Sequence, residues 1–209
     1  MFSNRLQRKA GTKLSMNLFK KRSEGEPQCE NEDVQEMSKV KRVLRECFQM
    51  IVVPVALALF CGKVLIVNAN IPSGSMENTI HPGDRVIGSR LAYLNQDPQR
   101  EDIIIFRFPD DESQVFIKRI IGLPGEEIEI VDGRVYIDGA QAPLEEAYLK
   151  EVPQGSFGPY EVPEDSYFVM GDNRNNSHDS RFWENHFVTR DEILAKAWFQ
   201  YYPRIGLVD

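Results

Sequence analysis

Three short stretches of this 209-residue chain hold side chains that could do chemistry together. The first is Ile71-Pro72-Ser73-Gly74-Ser75-Met76-Glu77-Asn78-Thr79-Ile80, with two hydroxyls on either side of one glycine, directly after an apolar run. Pro72 has no amide to give a sheet ladder, so the segment is an edge or a strand end. Gly74 lets the backbone bend sharply. Ser75 then sits at an exposed bend, where a nucleophile must be. On its own, Ser-Gly-Ser reads as a small-residue turn. The other two stretches change that.

The second stretch is Val115-Phe116-Ile117-Lys118-Arg119-Ile120-Ile121. Side chains alternate along a strand, so Phe116, Lys118 and Ile120 share one face and Ile117, Arg119 and Ile121 the other. A lysine between apolar neighbours is poorly solvated, which disfavours its charged form and lowers its pKa. A neutral lysine can serve as a general base near physiological pH. A serine nucleophile without a histidine needs such a base. The plain alternative is a lysine that snorkels off a strand edge.

The third is Gly171-Asp172-Asn173-Arg174-Asn175-Asn176-Ser177-His178-Asp179-Ser180-Arg181, a polar loop after a strand. Asn and Asp tolerate special turn conformations, which accounts for part of this composition. Ser177, His178 and Asp179 mimic a Ser-His-Asp set, but such triads are assembled by geometry from distant segments. His178 is expected to be an exposed loop residue. His81 and His186 are scattered and do not point to a metal site.

The elements that must position these residues begin with a membrane helix. Cys47–Val67 is apolar with one charge, Lys63, and its length suits a span of ~20 residues. A buried core helix and a cleaved signal peptide are the alternatives, the latter normally shorter and closer to the N-terminus. Pro54 is tolerated inside a membrane helix. Lys39, Lys41, Arg42 and Arg45 flank the run, so the N-terminus is expected in the cytoplasm and 68–209 outside. Residues 1–46 read as a basic and polar tail, partly disordered. Met1–Arg22 holds seven Lys/Arg and no acid, and such an arm could touch anionic lipid. Residues 23–36 read as solvated linker. Met16 offers a second start.

The remainder reads as mainly β, with antiparallel sheets. Strands are expected at 85–87, 103–106, 115–121 and 167–170. Leu123-Pro124-Gly125-Glu126 predicts a type II turn. Asp132-Gly133 joins 127–131 and 134–137 as a two-residue hairpin. Residues 139–164 read as a long loop, 191–196 as a helical turn and 197–202 as the last strand. The net charge of −7 divides into +4 over 1–46, +1 from Lys63 and −12 over 68–209. That acidic domain argues against nucleic-acid binding. Cys29, Cys47 and Cys61 fit no zinc spacing, and no disulfide can form within 68–209.

Together, Ser73-Gly74-Ser75-Met76 with Thr79, Ile117-Lys118-Arg119 with Gly122-Leu123-Pro124-Gly125, and the 171–181 loop resemble the type I signal peptidase family. The resemblance covers roughly residues 39–203. It implies a signal-peptidase-like β domain behind one N-terminal transmembrane helix in the cell membrane. It implies a serine endopeptidase acting on exported precursor proteins with signal peptides, with small residues before the cleavage site. Ser75 is then the nucleophile and Lys118 the general base. The Ser75 amide and the Ser73 hydroxyl form the oxyanion hole. Ser177 orients the Lys118 amine, Asp179 and Arg181 brace the loop, and Gly171 and Asp172 support it. Ile71, Pro72 and Ile117 line the substrate pockets. No metal and no cofactor are implied. Asn78 departs from the family's usual Pro. Two other classes remain to be weighed: a self-cleaving SOS-type repressor with a Ser-Lys pair, and a non-catalytic membrane-anchored β module.

Overall fold

The computed structural model describes residues 29–208, with side chains from Glu36 onward. The basic arm Met1–Arg22, the alternative start Met16 and the first part of the 23–36 linker lie outside the described residues. The chain divides into two units between Val55 and Ala56.

Helix α1 runs Cys29–Val64 and contains Pro54. Its stretch Glu36–Val64 is long and apolar enough to cross a membrane, and none of its apolar window is buried within the protein. Phe48, Met50 and Ile51 stand exposed along it. The helix differs from the expected 47–67 at both ends. It starts at Cys29, so residues 29–36 are helical rather than linker. An Arg42–Glu46 pair at 3.0 Å supports the charged part, as i,i+4 pairs do. It stops at Val64, because Ile66–Asn70 forms strand β1. Ile66 and Val67 are β-branched and suit a strand once a partner strand is present.

Ten further strands follow. They are β2 (Arg85–Ser89), β3 (Ile103–Phe108), β4 (Asp111–Gly122), β5 (Glu127–Val131) and β6 (Arg134–Ile137), then β7 (Phe157–Glu161), β8 (Ser166–Met170), β9 (Val188–Thr189), β10 (Ile193–Tyr202) and β11 (Gly206–Leu207). The larger sheet has the order β1-β2-β10-β3-β4-β8-β9, with β11 on β10, and the smaller has β6-β5-β7. Every pairing is antiparallel. The mainly β architecture expected from the sequence is therefore present.

Local chemistry explains several elements. Ile103–Phe106 is buried on both faces because Ile103 and Ile105 pack into one core cluster and Ile104 and Phe106 into another. Asp132 and Gly133 have φ of 49° and 79°, the paired positive values of a type I′ hairpin turn. Ile128, Ile130 and Val135 point from this hairpin into the core, as alternation predicts. Glu126 N–H donates to the Leu123 carbonyl at 3.2 Å, closing the type II turn.

Two expectations are corrected. The 139–164 region is not all loop, since β7 pairs with β5. Gly158 and Pro159 hid it, and Pro is tolerated there because β7 is an edge strand. The helical turn near 191 is a 3-10 turn at Arg190–Glu192, and the strand begins at Ile193, so only the start of 191–196 is helical. Thr189 and Glu192 close a capping box around that turn.

The core forms three clusters. Ile71, Met76, Ile80, Ile105 and Ile117 share the first, beneath the Ser75 segment. Trp183, Phe106, Ile120 and Val169 belong to the second. The third joins Ile121, Phe168 and Met170 of the larger sheet to Ile128, Ile130 and Val135 of the smaller.

Candidate active site

Ser75 is held from below and from the side. Met76 and Ile80 are fully buried, each contributing about 1.5–3 kcal/mol by burial. Turn hydrogen bonds tighten the segment, from Glu77 N–H to Gly74 O (3.1 Å) and from Ile80 N–H to Met76 O (2.7 Å). Pro72 follows the end of β1, as its missing amide predicts. The 171–181 loop then grips the segment. Asn173 N–H donates to Ser75 O at 3.0 Å, and Asn173 Nδ2 donates to Gly74 O at 3.0 Å. Asn78 Nδ2 donates to Asp172 O at 2.8 Å. Asn78 thus gives a polar tether where a proline could give none.

Lys118 enters from the middle of β4. Its Nζ lies 2.7 Å from Ser75 Oγ. Both residues are buried, Lys118 at 4% and Ser75 at 7% exposure, so Ser75 does not sit at the exposed bend expected from the sequence but in the cleft lining. Phe116, on the face shared with Lys118, lies under the amine at 5.6 Å. Burial pushes the Lys118 pKa down to about 8. Asp179 and Asp172 pull it upward and Arg181 adds to the fall. The amine is therefore partly neutral near physiological pH and hydrogen-bonded to the serine it would deprotonate. Ser73 Oγ lies 3.4 Å from Ser75 Oγ, on the same side of the bend.

Two buried ion pairs brace this pair. Arg181 donates Nε to Asp179 Oδ1 (2.8 Å) and Nη2 to Asp179 Oδ2 (2.9 Å). Asp179 also accepts the Gly171 N–H at 3.0 Å. Arg119, next to Lys118 in sequence, donates Nε to Asp172 Oδ1 (2.9 Å) and Nη2 to Asp172 Oδ2 (2.8 Å). Thr79 adds its hydroxyl to the same carboxylate. Burying such charges is tolerable only with this complete hydrogen bonding. The sequence marked Asp179 with Arg181, but the Arg119–Asp172 partnership spans 53 positions and left no local signal.

Ser177 is buried in the cleft wall, yet its hydroxyl has no hydrogen-bond partner. The expected bond from Ser177 to the Lys118 amine is thus not formed in this arrangement. Gly171 is packed against both Ser177 and Ser75. His178 is exposed and accepts a hydrogen bond from Trp183 Nε1 at 3.1 Å. It borders the cleft but makes no hydrogen bond to Ser75 or Lys118, so the described residues assemble no Ser-His-Asp set.

A cleft of about 930 Å³ opens above Ser75 and Lys118. Ile71, Pro72 and Ile117 border it. One wall is β1 with its continuation to Ser73, and another is 115–118 of β4. Among the described residues β1 pairs only with β2, and 115–118 pair only with β3. Two unpaired strand edges therefore face the cleft. Among the described residues no His/Cys/Asp/Glu group could hold a metal ion.

Comparison with known proteins identifies the family. Residues 44–202 match the family model described as signal peptidase, peptidase S26. The chain is 43% identical over 145 residues to a probable signal peptidase I-2 of Synechocystis, covering 66% of this chain and 65% of that protein. It is 41% identical over 172 residues to signal peptidase I of Leptolyngbya laminosa, covering 78% and 83%. A crystal structure of a signal peptidase I from Enterococcus faecalis is 37% identical, with a TM-score of 0.42 over 48% of this chain and 97% of that one. With the family match spanning most of the chain, the protein belongs to the signal peptidase family, peptidase S26, serine endopeptidases that remove signal peptides from exported precursor proteins.

Proposed function

We propose that Ser75 and Lys118 carry the cleavage reaction of this membrane-anchored signal peptidase. The 2.7 Å contact between a buried lysine and a serine hydroxyl is the observation that supports it most. The lowered Lys118 pKa makes that amine a competent base. A precursor segment enters the cleft in extended form and pairs with an unpaired strand edge. Small residues before the scissile bond fit the shallow apolar surface of Ile71, Pro72 and Ile117. Ser75 Oγ attacks the carbonyl while Lys118 takes its proton. The Ser75 amide and Ser73 hydroxyl receive the oxyanion, each donor lowering the barrier by about 3–4 kcal/mol. The resulting ammonium protonates the leaving amine, and water, deprotonated by Lys118, hydrolyses the acyl-enzyme. Ser177 orients the amine during these steps by turning its hydroxyl toward it.

The orientation follows from the basic flank at Lys39–Arg45. The N-terminus is cytoplasmic and the chain from 68 onward lies on the opposite side of the bilayer. The SOS-type repressor reading falls with the family assignment.

The test is cleavage of a precursor peptide by the full chain in vesicles. Ser75→Ala is expected to abolish turnover, and a slowly hydrolysed substrate is expected to leave an acyl adduct on Ser75 detectable by mass spectrometry. A Ser75→Ala enzyme that still cleaves would overturn the assignment. External protease applied to spheroplasts tests the orientation, and a protected C-terminal domain would reverse it.

A further inference from the structure

The nineteen residues 138–156 between β6 and β7 have no regular structure, and loops of more than about 12–15 residues in a compact domain usually carry a function. Little apolar burial holds the 145–154 part of this one. Val152 is exposed at 81%. Its anchors are polar, and they end on the catalytic loop. Glu146 takes a two-pronged ion pair from Arg174, with Nη1 to Oε2 at 3.0 Å and Nη2 to Oε1. Both side chains are buried. Tyr148 donates its hydroxyl to Glu146 at 2.8 Å and accepts from Arg174 Nη2 at 3.2 Å. Its ring lies 4.0 Å from the Arg119 guanidinium. Further along, Gln154 N–H donates to Asn175 Oδ1 at 3.0 Å, and Asn175 Nδ2 returns a bond to Val152 O at 3.2 Å.

We propose that Glu146 and Tyr148 form a strap that positions the catalytic loop, making them positioning residues for cleavage. The proposal rests on the Ser75–Lys118 reading above. Arg174 stands three residues before Ser177, and its Nε donates to Gly171 O at 3.1 Å. Its own carbonyl accepts from Arg181, the partner of Asp179. Arg119 neighbours Lys118 and grips Asp172, whose carbonyl takes the Asn78 bond. Tyr148 covers the outer face of Arg119 while bonding to Glu146 and Arg174. It thereby joins the two buried ion pairs, Arg119–Asp172 and Arg174–Glu146. One aromatic ring and one carboxylate thus hold the floor under both members of the Ser75–Lys118 pair. Stacking a guanidinium on a ring is favourable, and more so away from water. Loosening this floor by a fraction of an ångström is enough to misplace a reacting pair.

The charged groups around Lys118 are Asp172, Asp179 and Arg181, all on the loop that the strap covers, with Arg119 beside it on β4. Admitting water there relieves the burial that holds the amine neutral. The acid limb of the activity profile then moves to higher pH.

The experiment uses the full chain in vesicles with a precursor peptide, comparing parent, Tyr148→Leu, Tyr148→Phe, Glu146→Asp and Ser75→Ala. Tyr148→Leu is expected to lower kcat at least about tenfold with KM within about twofold, and to move the acid limb upward. Tyr148→Phe keeps the ring on Arg119 and is expected to restore kcat to within about threefold of the parent. Glu146→Asp, which withdraws the carboxylate by one methylene, is expected to lower kcat without moving KM. Near-parent kcat in both Tyr148→Leu and Glu146→Asp overturns the strap. So does a Tyr148→Leu enzyme whose only change is a lower melting temperature. If Tyr148→Leu does not fold, Glu146→Asp and Tyr148→Phe decide through the same kcat and pH readouts. Residual cleavage by Ser75→Ala would instead strike the underlying Ser-Lys reading, independently of the strap.

Discussion

A Cβ placed on Gly171 would lie 2.3 Å from the Ser177 hydroxyl and 2.4 Å from the Ser75 carbonyl oxygen. No side chain fits between the 171–181 loop and the Ser75 segment at this point. Gly171→Ala is therefore expected to push Ser75 away from Lys118. Overpacking of this kind costs about 1–3 kcal/mol in stability, and the displaced nucleophile is expected to lose at least about a hundredfold in kcat. Thermal unfolding and a cleavage assay check both. Near-parent activity would show that the two segments can part without consequence.

Lys118→Met separates stability from catalysis. The amine's pKa is about 8 in the folded protein against 10.5 in a free lysine. Between those values the unfolded chain binds more protons, so stability rises with pH. Below the folded pKa the penalty is fully present, roughly 3 kcal/mol; above the unfolded pKa it is gone. Methionine keeps much of the volume and removes the charge. The variant is expected to be inactive, yet at least as stable as the parent at pH 7, with its advantage shrinking toward pH 10. The lost hydrogen bond to Ser75 trims the gain to about 1 kcal/mol. Denaturant unfolding at several pH values measures it. A variant much less stable at pH 7 would mean that the lysine is charged and paired.

The same pKa predicts the activity profile. Only the neutral amine can take the Ser75 proton, so kcat/KM is expected to climb as pH rises through about 8. A profile flat from pH 6 to 9 would contradict a lysine base.

Ser73→Ala is expected to lower kcat by about a hundredfold or more and leave KM nearly unchanged, because its hydrogen bond forms mainly to the developing oxyanion. A rise in KM alone would assign Ser73 to substrate binding instead.

His178→Ala removes the acceptor of the Trp183 indole N–H. A stability loss of about 1 kcal/mol is expected, with activity within a few-fold of the parent. A thousandfold loss of activity would refute the Ser-Lys mechanism.

The sequence carried much of this site because its signals are local. A proline and a glycine around Ser75, and apolar neighbours around Lys118, are statements about adjacent residues. The Asp132-Gly133 hairpin was legible for the same reason. What could not be read depends on partners distant in the chain. Ile66 and Val67 continue an apolar run and look helical until β2 supplies a ladder for them. β7 contains Gly158 and Pro159 and becomes a strand only because β5 lies beside it. The Arg119–Asp172 and Arg174–Glu146 pairs bridge 53 and 28 positions, where no periodicity operates.

Only Leu65 separates the last residue of α1 from the first of β1. Eleven residue steps therefore lead from Val64 to Ser75, and a fully extended chain of that length reaches at most ~40 Å. The covalent chain itself sets a radius of action around the end of the anchor. A scissile bond outside that radius is out of reach however well its flanking residues fit the cleft. Substrate selection is in this sense expected to be partly metric, depending on how far a bond lies from the bilayer as well as on which residues precede it.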